Sequence, residues 1–335
     1  MQKFLKLPKI FKILAILGLV LIVILLLKLV LFKSPAEPSP VPRATLPPPT
    51  IIGEALPQNT TLLAKPESLP KELLVYQGVR MAFSAEKAVR IAQEFGFAEQ
   101  PKKSNDAVRG LFYLWPSEKN SLSISLDSPE ISYSVNDLRS SASNQNSPLP
   151  NPDEASKSLA DLIKKLELPL SDTGPEKTSY LGIIGGALLE AGSQDASFIR
   201  AELPSLLEGY PLVGNDPSQT ATSILLGGEK EIAQFHYKLY FSRFLPVRKF
   251  PVKNASQISS ALVKEGKVVR LGVSTEGVKE ITFSSASLTQ ISLVYYRPSS
   301  PREPIQPIYV LSGEGILAGG QKTEITVYLP AFVFE

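Results

Sequence analysis

S-L-S-I-S-L at residues 121–126 and I-S-Y-S-V at residues 131–135 alternate strictly between apolar residues and serine. Successive side chains of a β-strand point to opposite faces, so each run predicts an antiparallel strand with one buried and one polar face. The run L-F-Y-L-W at residues 111–115 precedes them and predicts another strand. This part of the chain is therefore predicted to form antiparallel β-structure.

Three helices are predicted, each followed by a group of strands. Ser84 and Gly96 flank the first helix as its N-cap and its left-handed C-terminal residue. The second helix begins at Asn151, with Pro152 at its first helical position, and the third runs from Asn254 or Ser256 to residue 265. Further strands are predicted at residues 179–190, 198–203, 222–226, 232–241, 278–283, 288–296, 308–312 and 324–328. This order indicates a β-rich α+β domain, or tandem domains, with helices packed on one face of antiparallel sheets.

A long apolar segment near the N-terminus predicts a transmembrane helix. Residues 13–27 contain no polar side chain, and the apolar run continues after Lys28 to residue 32. A helix over residues 10–32 would rise roughly 34 Å, enough to cross a hydrocarbon core of ~30 Å. A buried helix of a soluble domain would not be rich in leucine and isoleucine on every face. We therefore expect one transmembrane helix at residues 13–33, which contacts the lipid bilayer.

Lysines before this segment determine its predicted orientation. Residues 1–12 contain four lysines and no acidic residue, and the positive-inside bias then places the N-terminus in the cytoplasm and the rest of the chain outside. A cleaved signal peptide is the alternative, because S-P-A at residues 34–36 loosely matches a cleavage site. The apolar run is long for a signal peptide, so an uncleaved, single-pass signal anchor in the cell membrane is favoured.

The predicted domain organisation follows from these segments. Proline-rich residues 34–50 predict an extended polyproline spacer after the anchor. The predicted segments are a cytoplasmic basic tail at residues 1–12, the anchor at 13–33, a proline-rich linker at 34–70, two α+β units at 71–250 and a third α+β unit at 251–335.

Short stretches of the second and third units carry a family resemblance. They are L-E-G-Y-P-L-V at residues 207–213, L-V-Y-Y at 293–296, I-Q-P-I-Y-V at 305–310, Gly313 and Y-L-P-A at 328–331. Together with the basic tail and the anchor, they resemble the PepSY-like ectodomains of the YycH/YycI type. The resemblance implies a membrane-anchored accessory regulator of a histidine kinase that controls the cell wall in Gram-positive bacteria. None of the matching stretches is catalytic in such proteins.

Residue counts exclude several kinds of chemistry. The chain has no cysteine and one histidine, His236, so disulfides, thiolate metal sites and histidine-rich zinc sites are excluded. His236 lies on a predicted strand, as a general base or as an exposed residue, and the second interpretation is favoured because no partner is patterned nearby. A net charge of +3 does not imply a nucleic-acid partner. We predict no catalytic residue, no cofactor and no metal site.

Aromatic residues near the C-terminus allow two interpretations. Tyr295, Tyr296, Tyr309 and Tyr328 could form a partner surface. Alternatively, they form a sheet core whose hydroxyl groups lie at its margins, which is the favoured interpretation.

Two functional hypotheses follow. In the first, the chain is a membrane-anchored extracytoplasmic module that binds or regulates, without enzyme activity, and its partner is another membrane or envelope protein. In the second, it is a cell-wall-directed enzyme or assembly factor that uses carboxylate chemistry. Converging acidic residues in one cleft would favour the second hypothesis.

Overall fold

β-Strands dominate the part of the chain that the structure, a computed structural model, describes. The described residues are 46–66, 69–106, 110–139, 148–217, 220–239, 241–272, 282–298 and 303–333. The strands are β1 (Glu54–Ala55), β2 (Thr60–Leu62), β3 (Glu72–Arg80), β4 (Lys102–Asp106), β5 (Gly110–Pro116), β6 (Asn120–Ser125), β7 (Glu130–Val135), β8 (Lys177–Ile184), β9 (Ala187–Glu190), β10 (Phe198–Leu203), β11 (Leu206–Leu207), β12 (Tyr210–Val213), β13 (Thr222–Leu226), β14 (Ile232–Lys238), β15 (Phe241–Pro251), β16 (Lys267–Leu271), β17 (Phe283–Tyr296), β18 (Gln306–Leu317) and β19 (Lys322–Pro330). The α-helices described over their full length are α1 (Ala85–Glu94), α2 (Pro152–Lys165) and α3 (Ala255–Glu265).

The predicted helix starts are confirmed by their capping hydrogen bonds. The Lys87 backbone N–H donates to Ser84 Oγ at 3.1 Å before α1. Asn151 forms a capping box with the third helical residue of α2, and Asn254 does the same for α3. After α1, Gly96 has a φ of +84°, the left-handed conformation expected there. Local side-chain chemistry therefore fixes where these helices begin.

The nine-stranded sheet, called sheet I, contains the runs with strict alternation. Its strand order is β4-β5-β6-β7-β14-β13-β10-β8-β9, and all neighbouring strands are antiparallel. Leu122, Ile124 and Ile131 are at most 1% exposed and pack in one core with α1 and α2. The serines between them lie on the opposite face, so the prediction of half-buried strands is confirmed.

The eight-stranded sheet, called sheet II, contains most of the C-terminal part of the chain. Its order is β1-β16-β19-β18-β17-β12-β11, and β2 pairs with β17 outside this path. Helix α3 lies against β19 and β2. The short β11–β12 hairpin joins this sheet through the parallel pairing of β12 with β17.

A two-stranded ribbon of β3 and β15 connects the two sheets. Strand β15 begins three residues after the end of β14 in sheet I. On the other side of the ribbon, Tyr76 of β3 exchanges both backbone hydrogen bonds with Ile305, at 3.0 and 2.8 Å, directly before β18 of sheet II. The ribbon is therefore covalently continuous with sheet I and hydrogen-bonded beside sheet II.

The predicted α+β fold with a transmembrane helix is corrected by the structure. Strands make up 50% of the structure and helices 15%, so the fold is mainly β. In the described ranges no helix is long and apolar enough to cross a membrane: α1, α2 and α3 have 10, 14 and 11 residues, and a span needs about 20. This finding does not fit the predicted single-pass membrane protein with a cytoplasmic N-terminus. The tail at residues 1–12, the anchor at 13–33 and the first part of the linker lie outside the described residues.

The strands of the predicted units are distributed between the sheets differently from the expected order. Strand β7, from the first predicted unit, pairs with β14 from the second, so both units contribute to sheet I. Strands β11 and β12 of the second unit instead join sheet II. The predicted boundary between residues 250 and 251 stays a prediction.

A candidate ligand-binding cavity

A cavity of about 490 Å³ lies where sheet I, the ribbon and the β11–β12 hairpin meet. Its apolar wall consists of Met81, Pro169, Leu170, Leu206, Leu207, Leu239, Phe241 and Phe244. Its polar groups are Tyr76, Ser171, Asp172, Glu208, Ser242 and Arg243. A wall that combines apolar and polar side chains, at the junction of several substructures, is compatible with a small-molecule site.

Gly78 in the ribbon allows one wall of the cavity to form. A Cβ atom at this position would lie 2.2 Å from Cδ1 of Phe241, closer than two carbon atoms can approach. Because glycine has no side chain, the Phe241 ring lies directly on β3 and is only 3% exposed. There it packs edge-to-face with Phe244, with ring centroids 6.0 Å apart.

The turn between β11 and β12 brings an acidic side chain to the cavity. Leu207 and Tyr210 are paired across this turn, whose two central residues are Glu208 and Gly209. Their φ angles are +53° and +79°, as a two-residue type I′ hairpin requires. Glutamate rarely adopts positive φ, so the hairpin holds Glu208 in a conformation of higher energy, with its exposed side chain at the cavity.

Tyr76 is the most unusual residue of the cavity. Its side chain is 3% exposed, and its ring packs edge-to-face against Tyr295 with centroids 5.6 Å apart. Its hydroxyl has less than 1 Å² of accessible surface and lies close to the Glu208 carboxylate, but no described group meets the distance and angle of a hydrogen bond with it. Burial, and then the nearby Glu208 carboxylate, raise the pKa of Tyr76 to about 12, so the hydroxyl stays protonated at neutral pH. A buried polar group left unpaired destabilises a protein by about 1–3 kcal/mol.

Other buried tyrosines donate their hydroxyl hydrogen to a backbone carbonyl. The four tyrosines of the predicted partner surface are each at most 1% exposed, and burial is the main cause that raises the pKa of each. The pairs of hydroxyl donor and backbone carbonyl acceptor are Tyr295 and Leu74 at 3.0 Å, Tyr296 and Thr50 at 3.0 Å, Tyr309 and Lys253 at 2.8 Å, and Tyr328 and Gly214 at 3.0 Å. These rings lie in the core, so in this structure they present no surface to a partner.

His236 lies on the open face of sheet I, away from the cavity. Its side chain is half-buried in a groove of about 540 Å³ that Arg200, Glu202 and Asp216 also line. In the strand register, His236 lies between Ser132 of β7 and Ser223 of β13. The structure thus places serines beside it that the sequence pattern of β14 did not indicate. In the described residues, no group of three histidine or acidic side chains could hold a metal ion.

The polar residues of the cavity could not be predicted from the sequence. Tyr76, Asp172, Glu208 and Arg243 come from four separate stretches of the chain, so no local spacing connects them. The one signal was Glu208-Gly209 between two short apolar runs, which is compatible with a hairpin turn. Even that signal predicts the turn and not what the turn contacts.

Comparisons with known proteins add no functional information. No protein-family model and no curated protein matches the chain. Among solved structures, the chain is similar to an uncharacterized protein from Eubacterium rectale at 13% sequence identity. The alignment covers 85% of this chain and 92% of that chain, with a TM-score of 0.46, a level of similarity that carries no argument about function. The resemblance to PepSY-like ectodomains stays a prediction.

Proposed function

We propose that this chain is a non-enzymatic binding module that holds its ligand in the cavity beside Tyr76. The observation that carries the proposal is the cavity itself, which combines apolar and polar side chains where sheet I, the ribbon and the β11–β12 hairpin meet. The apolar side chains can hold the nonpolar part of a ligand, and the exposed side chains of Asp172 and Glu208 can contact its polar part.

The cavity limits the kind of ligand that fits. Its volume of about 490 Å³ lies in the usual range for small-molecule sites, ~300–1,000 Å³. Leucine, methionine and phenylalanine side chains form about half of the wall, so the ligand needs an apolar part. Its polar head can contact the exposed polar side chains at the cavity, Asp172 and Glu208 among them. A short alkyl chain with a polar end group meets both requirements.

Binding at this place supports a regulatory role. The ligand would contact Leu239 at the end of sheet I, Phe244 of the ribbon and Leu207 of the β11–β12 hairpin at the same time. A ligand that binds one arrangement of these elements more tightly than another shifts the population toward that arrangement. Ligand binding would thus shift how sheet I, the ribbon and the β11–β12 hairpin are arranged relative to each other.

Carboxylate catalysis is the second candidate, because Asp172 and Glu208 line the same cavity. A general acid that works near neutral pH is usually a carboxyl group buried in apolar surroundings. Both side chains are exposed. The cavity geometry therefore favours binding over catalysis.

The proposal is tested with 1-hexanol as a neutral probe. We expect millimolar 1-hexanol to shift the methyl NMR signals of Leu206 and Leu207 while those of Leu189 stay unchanged. Leu206→Trp should abolish binding, because the larger side chain fills the cavity. Leu189→Trp is the matched control, because Leu189 is exposed in β9 and does not line the cavity.

A second variant tests the role of the hydroxyl. Tyr76→Phe should leave 1-hexanol binding nearly unchanged, since the hydroxyl has less than 1 Å² of accessible surface and is not open to the cavity. If the folded wild-type protein shows no shift of the cavity methyl signals at saturating 1-hexanol, the proposed function is wrong.

A further inference from the structure

We propose that exposed side chains of ribbon strand β15 dock an extended segment of a partner protein in which acidic and aliphatic residues alternate. The docking surface, called the β15 patch, consists of Arg243, Leu245, Val247, Arg248 and Lys249. This inference goes beyond the ligand cavity and does not depend on it. The exposure, the charges and the backbone of β15 carry it.

Exposed aliphatic side chains form the first part of the argument. Eight of the eleven residues of β15 are exposed, and among them Leu245 is 44% and Val247 60% exposed. In the described ranges, no other two exposed large hydrophobic residues lie within two positions of each other. Single exposed aliphatic residues are common, whereas neighbouring ones form an apolar area that a partner can cover.

Basic residues beside this apolar pair form the second part of the argument. The nine residues of β3 and the eleven of β15 contain four basic residues and one acidic residue, a formal charge of +3. The whole chain has the same net charge. Among the ion pairs between described residues, none includes Arg243, Arg248 or Lys249. The β15 patch therefore complements a partner of negative charge.

Arg248 is positioned by an aromatic ring. Its guanidinium carbon lies 5.6 Å from the centroid of the Phe250 ring. The Phe250 ring packs in turn against Phe332, with centroids 5.3 Å apart, and Phe332 is 1% exposed. A guanidinium held on a ring loses less side-chain freedom when it binds, and its planar fork matches the two oxygens of a carboxylate.

The backbone of β15 favours recognition through side chains. Register shifts interrupt its pairing between Phe241 and Arg243 and between Pro246 and Arg248, and its two prolines have no N–H to donate. A partner strand therefore cannot form a continuous ladder along β15. From residue 243 to residue 249 the strand spans roughly 20 Å at about 3.3 Å per residue, so an extended segment of about seven residues covers the β15 patch.

The chemistry of the occupant follows from these two kinds of side chain. Carboxylates of the partner would pair with Arg243, Arg248 and Lys249, and its aliphatic side chains would cover Leu245 and Val247. A segment that alternates acidic and aliphatic residues supplies both. A nucleic acid supplies the negative charge but no aliphatic side chain.

Three fluorescein-labelled heptapeptides test the inference: E-L-E-L-E-L-E, E-S-E-S-E-S-E and K-L-K-L-K-L-K. Their dissociation constants for the whole folded chain are measured by fluorescence anisotropy at low and high salt. We expect E-L-E-L-E-L-E to bind at least about tenfold more tightly than either of the others, because only this peptide matches both the charge and the apolar pair. Its affinity should fall at high salt.

A double variant tests the basic residues. Arg248→Gln with Lys249→Gln should weaken binding of E-L-E-L-E-L-E about tenfold at low salt. Lys102→Gln with Lys103→Gln is the matched control, because both lysines are exposed on edge strand β4 and Lys103 also lies 5.6 Å from the centroid of an aromatic ring. Equal weakening by the two double variants would overturn the inference.

A single variant tests the apolar pair. Leu245→Ser should weaken binding of E-L-E-L-E-L-E roughly threefold or more, because it removes apolar area that the peptide buries. Leu189→Ser is the matched control, since Leu189 is 48% exposed on β9, outside the β15 patch. Leu245→Ser with unchanged affinity would show that the patch binds through charge alone, and the proposed alternation would be wrong.

The remaining outcomes separate other occupants from the proposed one. If E-S-E-S-E-S-E binds as tightly as E-L-E-L-E-L-E, or if no peptide binds, the inference is wrong. It is also wrong if phosphatidylglycerol vesicles bind the chain more tightly than the peptide and the Arg248 and Lys249 variant abolishes that binding. Neither of these two residues lines the cavity, so the double variant should bind 1-hexanol as the wild type does, and failure of this inference leaves the proposed function standing.

Discussion

Two buried polar side chains lie near the ribbon, and they differ in how well they are paired. Lys253, just after β15, is 3% exposed, and its ammonium donates to the Glu265 carboxylate at 2.9 Å, to the Pro330 carbonyl at 2.9 Å and to the Phe332 carbonyl. Tyr76 is equally buried and has no hydrogen bond from a described residue to its hydroxyl. Complete pairing indicates a structural role, because removing any member leaves others unpaired. The Tyr76 hydroxyl, which has less than 1 Å² of accessible surface, instead makes a local, unfavourable contribution to stability.

The largest expected effect on stability comes from removing the Lys253 ammonium, the buried group that has three hydrogen-bond acceptors. Lys253→Met should lower the free energy of unfolding by about 3–5 kcal/mol, because it leaves Glu265 and two carbonyls without their cation. These groups join α3 to the end of β19, so the loss should be global. Urea unfolding followed by circular dichroism measures it.

Lys322→Met provides the control for this prediction. Lys322 also forms an ion pair at 2.9 Å, with Glu314, but both side chains are largely exposed. Exposed pairs contribute ~0–1 kcal/mol. Equal losses in the two variants would show that the Lys253 centre does not stabilise the fold through its buried bonds.

The next effect concerns the cavity wall beside Tyr76, where Gly78 leaves room for the Phe241 ring. Gly78→Ala should lower the free energy of unfolding by about 1–3 kcal/mol, since the new methyl group collides with the Phe241 ring. The displaced ring should also weaken 1-hexanol binding. Gly319→Ala is the control, because a Cβ there meets no atom within 4 Å. A stable Gly78→Ala variant with unchanged binding would contradict the described position of Phe241.

The sequence predicts local features of this molecule better than contacts between distant parts of the chain. The helix starts are predictable from Ser84, Asn151 and Asn254, because a capping side chain bonds to residues close to it in the chain. Ribbon strand β15 was not predicted beyond residue 241, since it contains Pro246 and Pro251. Which strands share a sheet, and which side chains meet at the cavity, depend on contacts between distant stretches that no local pattern encodes.

The structure shows why proline is tolerated in β15. Both backbone groups of Tyr76 bond to Ile305, so they point away from β15. Its cross-strand neighbour Pro246 is then in a non-hydrogen-bonded pair, where a backbone N–H is not needed for the ribbon. The proline also removes a donor from the outer edge of the ribbon, which discourages pairing with another chain.

The smallest expected effect gives the sharpest comparison, because it involves two adjacent tyrosines. Tyr295→Phe should lower the free energy of unfolding by about 1 kcal/mol, since it removes the hydrogen bond to the Leu74 carbonyl. Tyr76→Phe should leave that free energy unchanged or raise it slightly, since it removes a buried hydroxyl without a partner. Equal losses in urea unfolding would mean that Tyr76 is paired as well.

The wild type and Tyr76→Phe should differ in how their free energy of unfolding responds to alkaline pH. Burial and Glu208 raise the pKa of Tyr76 to about 12, whereas an unfolded tyrosine ionises near 10. Between about pH 10 and 12 the unfolded chain therefore binds fewer protons at this residue than the folded chain, so the free energy of unfolding falls as pH rises. Below about pH 10 the residue is protonated in both states and contributes no slope. We expect the wild type to lose stability relative to Tyr76→Phe only within that window, measured by urea unfolding at each pH. A difference between the two proteins that stays constant from pH 8 to 12 would show that the Tyr76 hydroxyl ionises as freely in the folded chain as in the unfolded one, and the hydroxyl would then not be buried as described.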